Sequence, residues 1–380
     1  MTLHKYKLGE LLELSNERNT EGKFTLEDVR GISIQKIFIE TKADMAGVSL
    51  TPYILVKPDA FAYVPVTSRN GGKITIAHNN TDNTYIVSTS YVVFSVKRTD
   101  ILLSDYLFMY FNRSEFDRYA RFHSLGSARE VFSWDDMCNV DMLLPPLDIQ
   151  RKYVNVYLSM TTNQRAYEKG LDELKLVCDM YIEDLRRKMP CEKIGEYIVE
   201  VNERNEAGHY GLEDVRGVSI AKRFIKTVAD MNGVNLQPYY VISPNDFAYN
   251  TVTSRMGDKL AIALNDTDNT YICSSSYVVF RCRDENILLP QYLMLYFTHS
   301  EFDRYARFHS IGSAREIFSF DDMCNVQIPI PDMTIQRSIA NIYTVYKARK
   351  AISERLKVLI KETCPVLIKG AIDEAQKEDE

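Results

Sequence analysis

The chain has 380 residues, of which 45% are hydrophobic and 26% charged, and its net charge is −6. This length suits two domains, or three at most, each large enough to bury a core. The acidic total excludes a uniformly basic nucleic-acid binder but permits a local basic stripe. The first ten residues lack the apolar core of a signal peptide, and no run approaches the ~20 apolar residues that cross a bilayer. We therefore expect a cytoplasmic protein with no membrane association.

Short β-rich segments alternate with turn signals along the first 100 residues. Strands are predicted over 53–56, 61–66, 73–77, 85–87 and 90–96. Turn signals separate them at 70–72 and 79–83, where Asn79, Asn80 and Asn83 favour an Asx-rich turn over reading of an adenine base. A helix is predicted over 106–119 and a short helix or turn over 135–140. The pattern indicates a mixed α/β domain.

A long helix follows this domain. From Tyr153 the apolar positions alternate in steps of four and three over more than four heptads, which indicates a coiled-coil seam that ends at Pro190. A second stripe, over 336–369, has poorer register, and Pro365 should kink or end it. At about 36 residues and 1.5 Å per residue each helix should measure ~54 Å, which corresponds to ~16 base pairs of DNA.

The chain contains one unit written twice. The segment from Asn16 to Arg151 recurs from Asn202 to Arg337 without insertion or deletion, and more than half of its positions are identical. SEFDRYARFHS, for example, recurs letter for letter from Ser114 and from Ser300. The period is too long for a solenoid repeat, so this is a duplicated domain. If the second helix packs back on the first, the helices run antiparallel and the two domains are related by an approximate two-fold, as are the strands of duplex DNA.

The exit from each domain carries a distinctive motif. The chain reads GSAREVFSWDDMCNVDMLLPPLDIQR from Gly126 and GSAREIFSFDDMCNVQIPIPDMTIQR from Gly312. Its glycine loop, short helix, proline-containing strand and glutamine before a long helix resemble the specificity subunits of type I restriction–modification systems. The resemblance covers essentially the whole chain. In each half VRG segments, from Val29 and Val215, and FAY…TSR segments, from Phe61 and Phe247, precede this exit.

The resemblance implies an α+β architecture with two target-recognition domains joined by antiparallel spacer helices. The boundaries predicted are 1–148 for the first domain, 149–189 for its helix, 190–334 for the second domain and 335–380 for its helix and tail. It also implies binding of double-stranded DNA and assembly with two modification subunits that methylate adenine and with restriction subunits. No cofactor is expected on this chain, because S-adenosylmethionine, ATP and magnesium belong to the partner subunits. Since the two domains are alike, we expect a split, near-palindromic target.

Two loops of each domain hold the candidate DNA-binding residues. Hydroxyls, guanidinium groups and ammonium groups suit phosphate oxygens, and arginine also reads base edges. A glycine-opened loop at a predicted helix start would offer free N–H groups to phosphate as well. The candidates are Thr67, Ser68, Arg69, Lys73, Ser127 and Arg129, and in the second copy Thr253, Ser254, Arg255, Lys259, Ser313 and Arg315.

Each candidate has a structural alternative. Arg69 could instead brace a turn, and Arg129 could pair with Glu130 or Asp136 on the surface. Arg118 and Arg121 are more typical of a solvated helix face, and His123 of a structural histidine. At the level of function, one alternative is a protein-interaction scaffold without DNA contact. Another is a carboxylate-dependent nuclease that uses the acid pairs 135–136 and 321–322, which more plausibly cap a helix.

No catalytic motif accompanies these residues. Adenine methyltransferases of the partner type carry an Asn/Asp-Pro-Pro-aromatic motif, whereas the sequence at 144–147 is LPPL. There is also no GxxxxGK[ST] phosphate loop for ATP. We therefore expect no catalytic residue, no cofactor site and no metal site on this chain.

Overall fold

The structure is a computed structural model that describes residues 3–41, 43–68, 72–126, 129–227, 229–253, 259–312 and 315–378. The chain divides into two compact units. Unit 1 comprises Met1–Ala166 and Ser353–Glu380, and unit 2 comprises Tyr167–Ile352. Each unit therefore holds one repeat domain, the start of the long helix that follows it, and the end of the other long helix. The four-segment division expected from the sequence stays a prediction.

Unit 1 is built around a four-stranded antiparallel sheet, with strands in the order Leu12–Ser15, Val92–Val96, Phe61–Tyr63 and Ile76–His78. Three two-stranded pairs accompany it: His4–Lys7 with Asp141–Leu144, Arg30–Ile32 with Phe38–Glu40, and Ile54–Val56 with Tyr85–Val87. The short helices are Leu8–Leu11, Leu26–Asp28, Ser104–Phe111, Ser114–Phe122 and Trp134–Cys138.

Unit 2 repeats this topology. Its four-stranded sheet has the order Ile198–Val201, Tyr277–Cys282, Phe247–Asn250 and Ile262–Leu264. The pairs are Cys191–Lys193 with Gln327–Pro329, Arg216–Val218 with Phe224–Lys226, and Tyr240–Ile242 with Tyr271–Cys273. The short helices are Ile194–Glu196, Leu212–Asp214, Pro290–Thr298, Ser300–His309 and Phe320–Cys324.

The central strand of unit 1 is buried on both faces. Side chains alternate across a strand, so Phe61 and Tyr63 enter the main core while Ala62 enters a smaller cluster on the other side. All three are 0% exposed. This explains why the segment reads as a short apolar run instead of alternating with polar residues.

The single helix predicted over 106–119 is wrong, because the structure has two helices, Ser104–Phe111 and Ser114–Phe122. At 100° per residue a continuous helix would turn Phe111 and Phe116, five residues apart, about 140° away from each other. The break at Arg113, whose backbone is extended, lets both rings face the core, where their centroids lie 4.6 Å apart. Burial of two aromatic rings outweighs helix continuity.

The two long helices, Leu147–Lys188 and Met333–Glu378, have 42 and 46 residues and exceed the expected 36. Pro365 lies inside the second helix and does not end it. A proline in a helix interior costs ~3 kcal/mol. Its neighbours Cys364, Leu367 and Ile368 are buried in the core of unit 1, and their burial holds the helix together.

Within each unit the two helix segments run antiparallel, as expected. In unit 1, Lys152 contacts Glu374 at 2.8 Å and Gln164 donates a hydrogen bond to Ser353 at 3.3 Å. Numbers therefore rise on one helix as they fall on the other. In unit 2, Tyr167 lies under the guanidinium of Arg349, and Cys178 and Tyr343 line a common cavity.

Candidate nucleic-acid interface

The two candidate loops of unit 1 lie side by side. Val66 and Val131 form an antiparallel bridge. Next to it, the backbone N–H of Thr67 donates a hydrogen bond of 2.9 Å to the carbonyl oxygen of Glu130. The loops are distant in sequence, and the bridge joins them. We call the described residues around it, 66–68, 72–73, 125–126 and 129–131, the paired-loop surface of unit 1. Unit 2 has the same bridge between Val252 and Ile317.

The paired threonines hold this surface together from inside. Thr67 and Thr253 are 2% and 4% exposed. Their hydroxyls donate to the carbonyl oxygens of Glu130 and Glu316 at 3.3 and 3.2 Å. We therefore assign both threonines to joining the loops instead of offering a hydroxyl to a ligand.

The other candidates that the structure describes are exposed. Ser68, Lys73 and Arg129 face solvent in unit 1, as do Lys259 and Arg315 in unit 2. DNA contact by these side chains stays a prediction. The remaining candidates lie outside the described residues: Arg69, Ser127, Ser254, Arg255 and Ser313.

The residues on either side of the glycine-opened loop are joined by backbone hydrogen bonds. Leu125 and Val131 exchange two backbone hydrogen bonds across it, at 3.0 and 3.2 Å. Gly126 has φ +141°, and a Cβ there would lie 2.2 Å from the carbonyl oxygen of Arg129. The following helix begins only at Trp134. Phosphate contact by this loop stays a prediction.

The acid pairs serve the short helix, as the sequence favours. Ser133 accepts a hydrogen bond of 3.1 Å from the N–H of Asp136, whose carboxylate accepts one of 2.9 Å from the N–H of Ser133. This reciprocal capping box recurs with Ser319 and Asp322 in unit 2. Among the described residues no group of three His, Cys, Asp or Glu side chains could hold a metal ion. The geometry of these acids gives a nuclease no support.

The carboxylate of Glu130 pairs with Arg121 and not with Arg129, the partner considered from the sequence. Arg121 forms an ion pair with Glu130, which lowers the pKa of that carboxyl from its ordinary value. Arg307 pairs with Glu316 in the same way. Within the described part of the chain Arg129 has no carboxylate partner, so its guanidinium is available to a ligand.

Exposed apolar side chains flank the paired-loop surface, and the sequence analysis missed them. Phe122 and Leu125 are 81% and 76% exposed in unit 1. Phe308 and Ile311 are 83% and 79% exposed in unit 2. The sequence signal for the phenylalanines is the identical recurrence of SEFDRYARFHS in both repeats. Packing into a core constrains only one face of a helix, so identity on every face indicates a further constraint.

A buried ion pair contacts the chain just after the first candidate loop, and it too was missed. Lys36 Nζ lies 2.7 Å from Asp117 Oδ1, and the lysine also donates to the carbonyl of Phe111. Asp117 Oδ1 accepts a further hydrogen bond of 3.3 Å from the N–H of Ile74. Burial lowers the pKa of Lys36, while Asp117 opposes that shift. The pair therefore ties a hairpin, a helix and the chain leaving the first candidate loop to one point.

Unit 2 contains the same pair, Lys222 with Asp303 at 2.6 Å, and Asp303 accepts 3.1 Å from the N–H of Leu260. Both residues stand at equivalent positions of the two repeats, which is the sequence signal that could have identified them. Lys36 and Lys222 also have positive φ, of 63° and 57°. Burial of the lysine charge costs free energy, and so does a left-handed backbone at a residue other than glycine. The contacts of each lysine must offset both costs.

The asparagine-rich turn is structural, as favoured from the sequence. Asn79 is 1% exposed, and its side-chain amide donates to the carbonyls of Val56, Lys57 and Asn83 at 2.8–3.1 Å. The ring of His123 packs against that of Tyr119, with centroids 4.2 Å apart and the ring planes tilted by 36°.

Residues 192–362 match the family profile described as the type I restriction modification DNA specificity domain. The matched segment spans most of the second repeat and of the second long helix. That family is named for DNA specificity and not for a reaction. The first repeat shares its fold and more than half of its sequence with the matched one. No curated protein matches the chain.

Solved structures resemble the whole chain in fold. The type I restriction–modification S subunit from M. genitalium is 11% identical with a TM-score of 0.61, over 98% of this chain and 96% of that one. The HsdS subunit from Thermoanaerobacter tengcongensis is 15% identical with a TM-score of 0.35, over 97% and 96%; that score is too low to carry an argument. None of the helices within the described ranges is long and apolar enough to cross a membrane.

Proposed function

We propose that the chain serves as the DNA-specificity subunit of a type I restriction–modification system, because residues 192–362 match the profile of the type I restriction modification DNA specificity domain. The observation that carries the proposal is the duplicated paired-loop surface, which presents Lys73 and Arg129 in unit 1 and Lys259 and Arg315 in unit 2 to solvent. Exposed cations on loops suit a phosphate backbone, and arginine suits base edges.

Each domain would read one half of a split target. Because the two domains are alike, the half-sites would be similar, and in inverted orientation they form a near-palindrome. The long helices would set the gap between them. The antiparallel helix contacts within each unit support this role.

Catalysis would belong to partner subunits. Two modification subunits would methylate adenine with S-adenosylmethionine, and restriction subunits would consume ATP with magnesium, while this chain holds no cofactor. The net charge of −6 fits a protein that binds DNA together with partner subunits. The rival functions lack support, because Asp136 and Asp322 of the acid pairs cap helices and the exposed loop cations suit DNA better than a protein-only scaffold.

The test is a genome-wide map of N6-methyladenine in cells with and without this gene, with the modification subunit present in both. A split, near-palindromic methylated site that vanishes without the gene supports the proposal. A methylation map that does not change on deletion contradicts it.

A further inference from the structure

A lysine-rich cavity lies in unit 2 between the repeat domain and the two long helices. Its volume is about 260 Å³, room for on the order of eight waters. Four lysines line it, Lys175, Lys222, Lys259 and Lys350, against two carboxylates, Asp179 and Asp303. Uncompensated positive charge in a concave site attracts anions.

Each of the two carboxylates already forms an ion pair with one lysine. Two of the four lysines are not part of these pairs. Asp303 holds the buried Lys222 at 2.6 Å, and Asp179 holds Lys175 at 2.8 Å. Among the described residues Lys259 and Lys350 have no carboxylate within 4.0 Å. The cavity thus keeps two positive charges without a counter-ion.

Unit 1 preserves this balance with different residues. At the equivalent positions of the repeat Lys36, Lys73 and Lys361 replace Lys222, Lys259 and Lys175, while the positions of Lys350 and Asp179 hold Gln164 and Pro365. One cation and one anion are lost together, so the equivalent positions of unit 1 hold three lysines and the single carboxylate Asp117. Asp117 accepts a hydrogen bond from the N–H of Ile74, the residue after Lys73, and the charges of Lys361 and Lys73 both lower the pKa of Lys36.

We propose that each lysine cluster binds a phosphate group of the DNA backbone, with one lysine from the domain, Lys73 or Lys259, and one from a long helix, Lys361 in unit 1 or Lys350 in unit 2. This rests on the proposed DNA-reading function and adds the long helices to the DNA-binding surface. Lys73 and Lys259 directly follow the first candidate loop, so a duplex on that loop brings its backbone to the cluster. Lysine binds phosphate as a point charge without a fixed geometry, which suits a contact that carries no sequence information.

The experiment measures the affinity of the complete complex with modification subunits for a duplex carrying its mapped target, from 50 to 300 mM KCl. Each phosphate contact contributes about 0.9 to the slope of log K against log salt. Lys350→Gln with Lys361→Gln should flatten the slope by about two and weaken a mismatched duplex by the same factor as the target. Lys350→Arg with Lys361→Arg should restore the slope.

The matched control is Lys169→Gln with Lys377→Gln, which removes the same charge from the long helices at exposed positions away from the cavity, and it should leave the slope unchanged. If the Gln pair and the control behave alike while the wild type binds its target, the phosphate site is refuted and the proposed function stands. If the wild type does not bind DNA at all, the proposed function fails and the site with it. Binding of inorganic pyrophosphate that depends on Lys350 and Lys361, with an unchanged DNA slope, would instead assign the cluster to a free phosphate and refute the DNA contact.

Discussion

Lys36 Nζ lies 2.7 Å from Asp117 Oδ1, and both side chains are almost entirely shielded from solvent, at 1% and 7% exposure. Removal of one partner leaves the other as an uncompensated buried charge or polar group, which costs about 3–5 kcal/mol. The pair therefore helps to fix the relative positions of the hairpin, the helix and the chain that leaves the first candidate loop.

We predict that Lys36→Met lowers the free energy of unfolding by about 3–5 kcal/mol, measured by urea denaturation. The matched control is Lys5→Met, which breaks the ion pair with Asp141 at 2.8 Å. Both of those groups are solvated, so the control should unfold almost like the wild type. Equal stabilities of the two variants would show that the buried pair does not hold the domain together.

The backbone of Gly126 allows a second test. Gly126→Ala places a Cβ 2.2 Å from the carbonyl oxygen of Arg129 at φ +141°, so the backbone must shift and the paired-loop surface must open. We expect DNA binding by the complex to fall at least tenfold. Gly22→Ala is the control, because its φ is also positive, at +65°, but nothing lies within 4 Å of the added Cβ. That change should cost about 1 kcal/mol of strain and leave DNA affinity unchanged; equal affinity losses would contradict the account.

The acid pair separates capping from catalysis. Asp136→Ala should destabilise the protein by about 1 kcal/mol because it removes half of the capping box, whereas Asp135→Ala should change the free energy of unfolding by less than about 0.5 kcal/mol. Chemical denaturation measures both. Metal-dependent DNA cleavage by the purified chain that disappears with Asp135→Ala and Asp321→Ala would revive the nuclease alternative.

Much of the fold could be predicted from the sequence, and what could not has physical causes. The strand at Tyr85–Val87 matches its prediction, because β-branched and aromatic residues between turn signals suffice there. The break before Ser114 could not be foreseen, because it depends on where Phe111 and Phe116 must point in three dimensions. Continuity through Pro365 likewise depends on core contacts of its neighbours.

The site was half predictable. Loop composition identified both candidate loops, but nothing local indicates that Thr67 turns inward to Glu130. The buried Lys36 reads from sequence as an ordinary surface cation. Only its recurrence with an aspartate at the same distance along the chain, in both copies, distinguishes it.

The long helices predict the spacing of the target. Deletion of one heptad from each helix preserves the coiled-coil register and removes about 10.5 Å, which is ~3 base pairs. Methylome sequencing should then find the same half-sites with a gap shorter by about three base pairs. An altered half-site with the original gap would refute the role of the long helices in setting the gap.

The central claim, that each repeat reads one half of the target, is tested most directly by a chimeric chain. Residues 16–151 are replaced by 202–337, which align without insertion or deletion, and N6-methyladenine is mapped genome-wide in cells expressing the chimera with its modification subunit. The account predicts a perfectly palindromic methylated site, with both halves equal to the half read by the second repeat and the gap unchanged. A site identical to that of the wild-type chain, where the wild-type halves differ, would contradict it, as would methylation lost in a chimera that still folds and assembles.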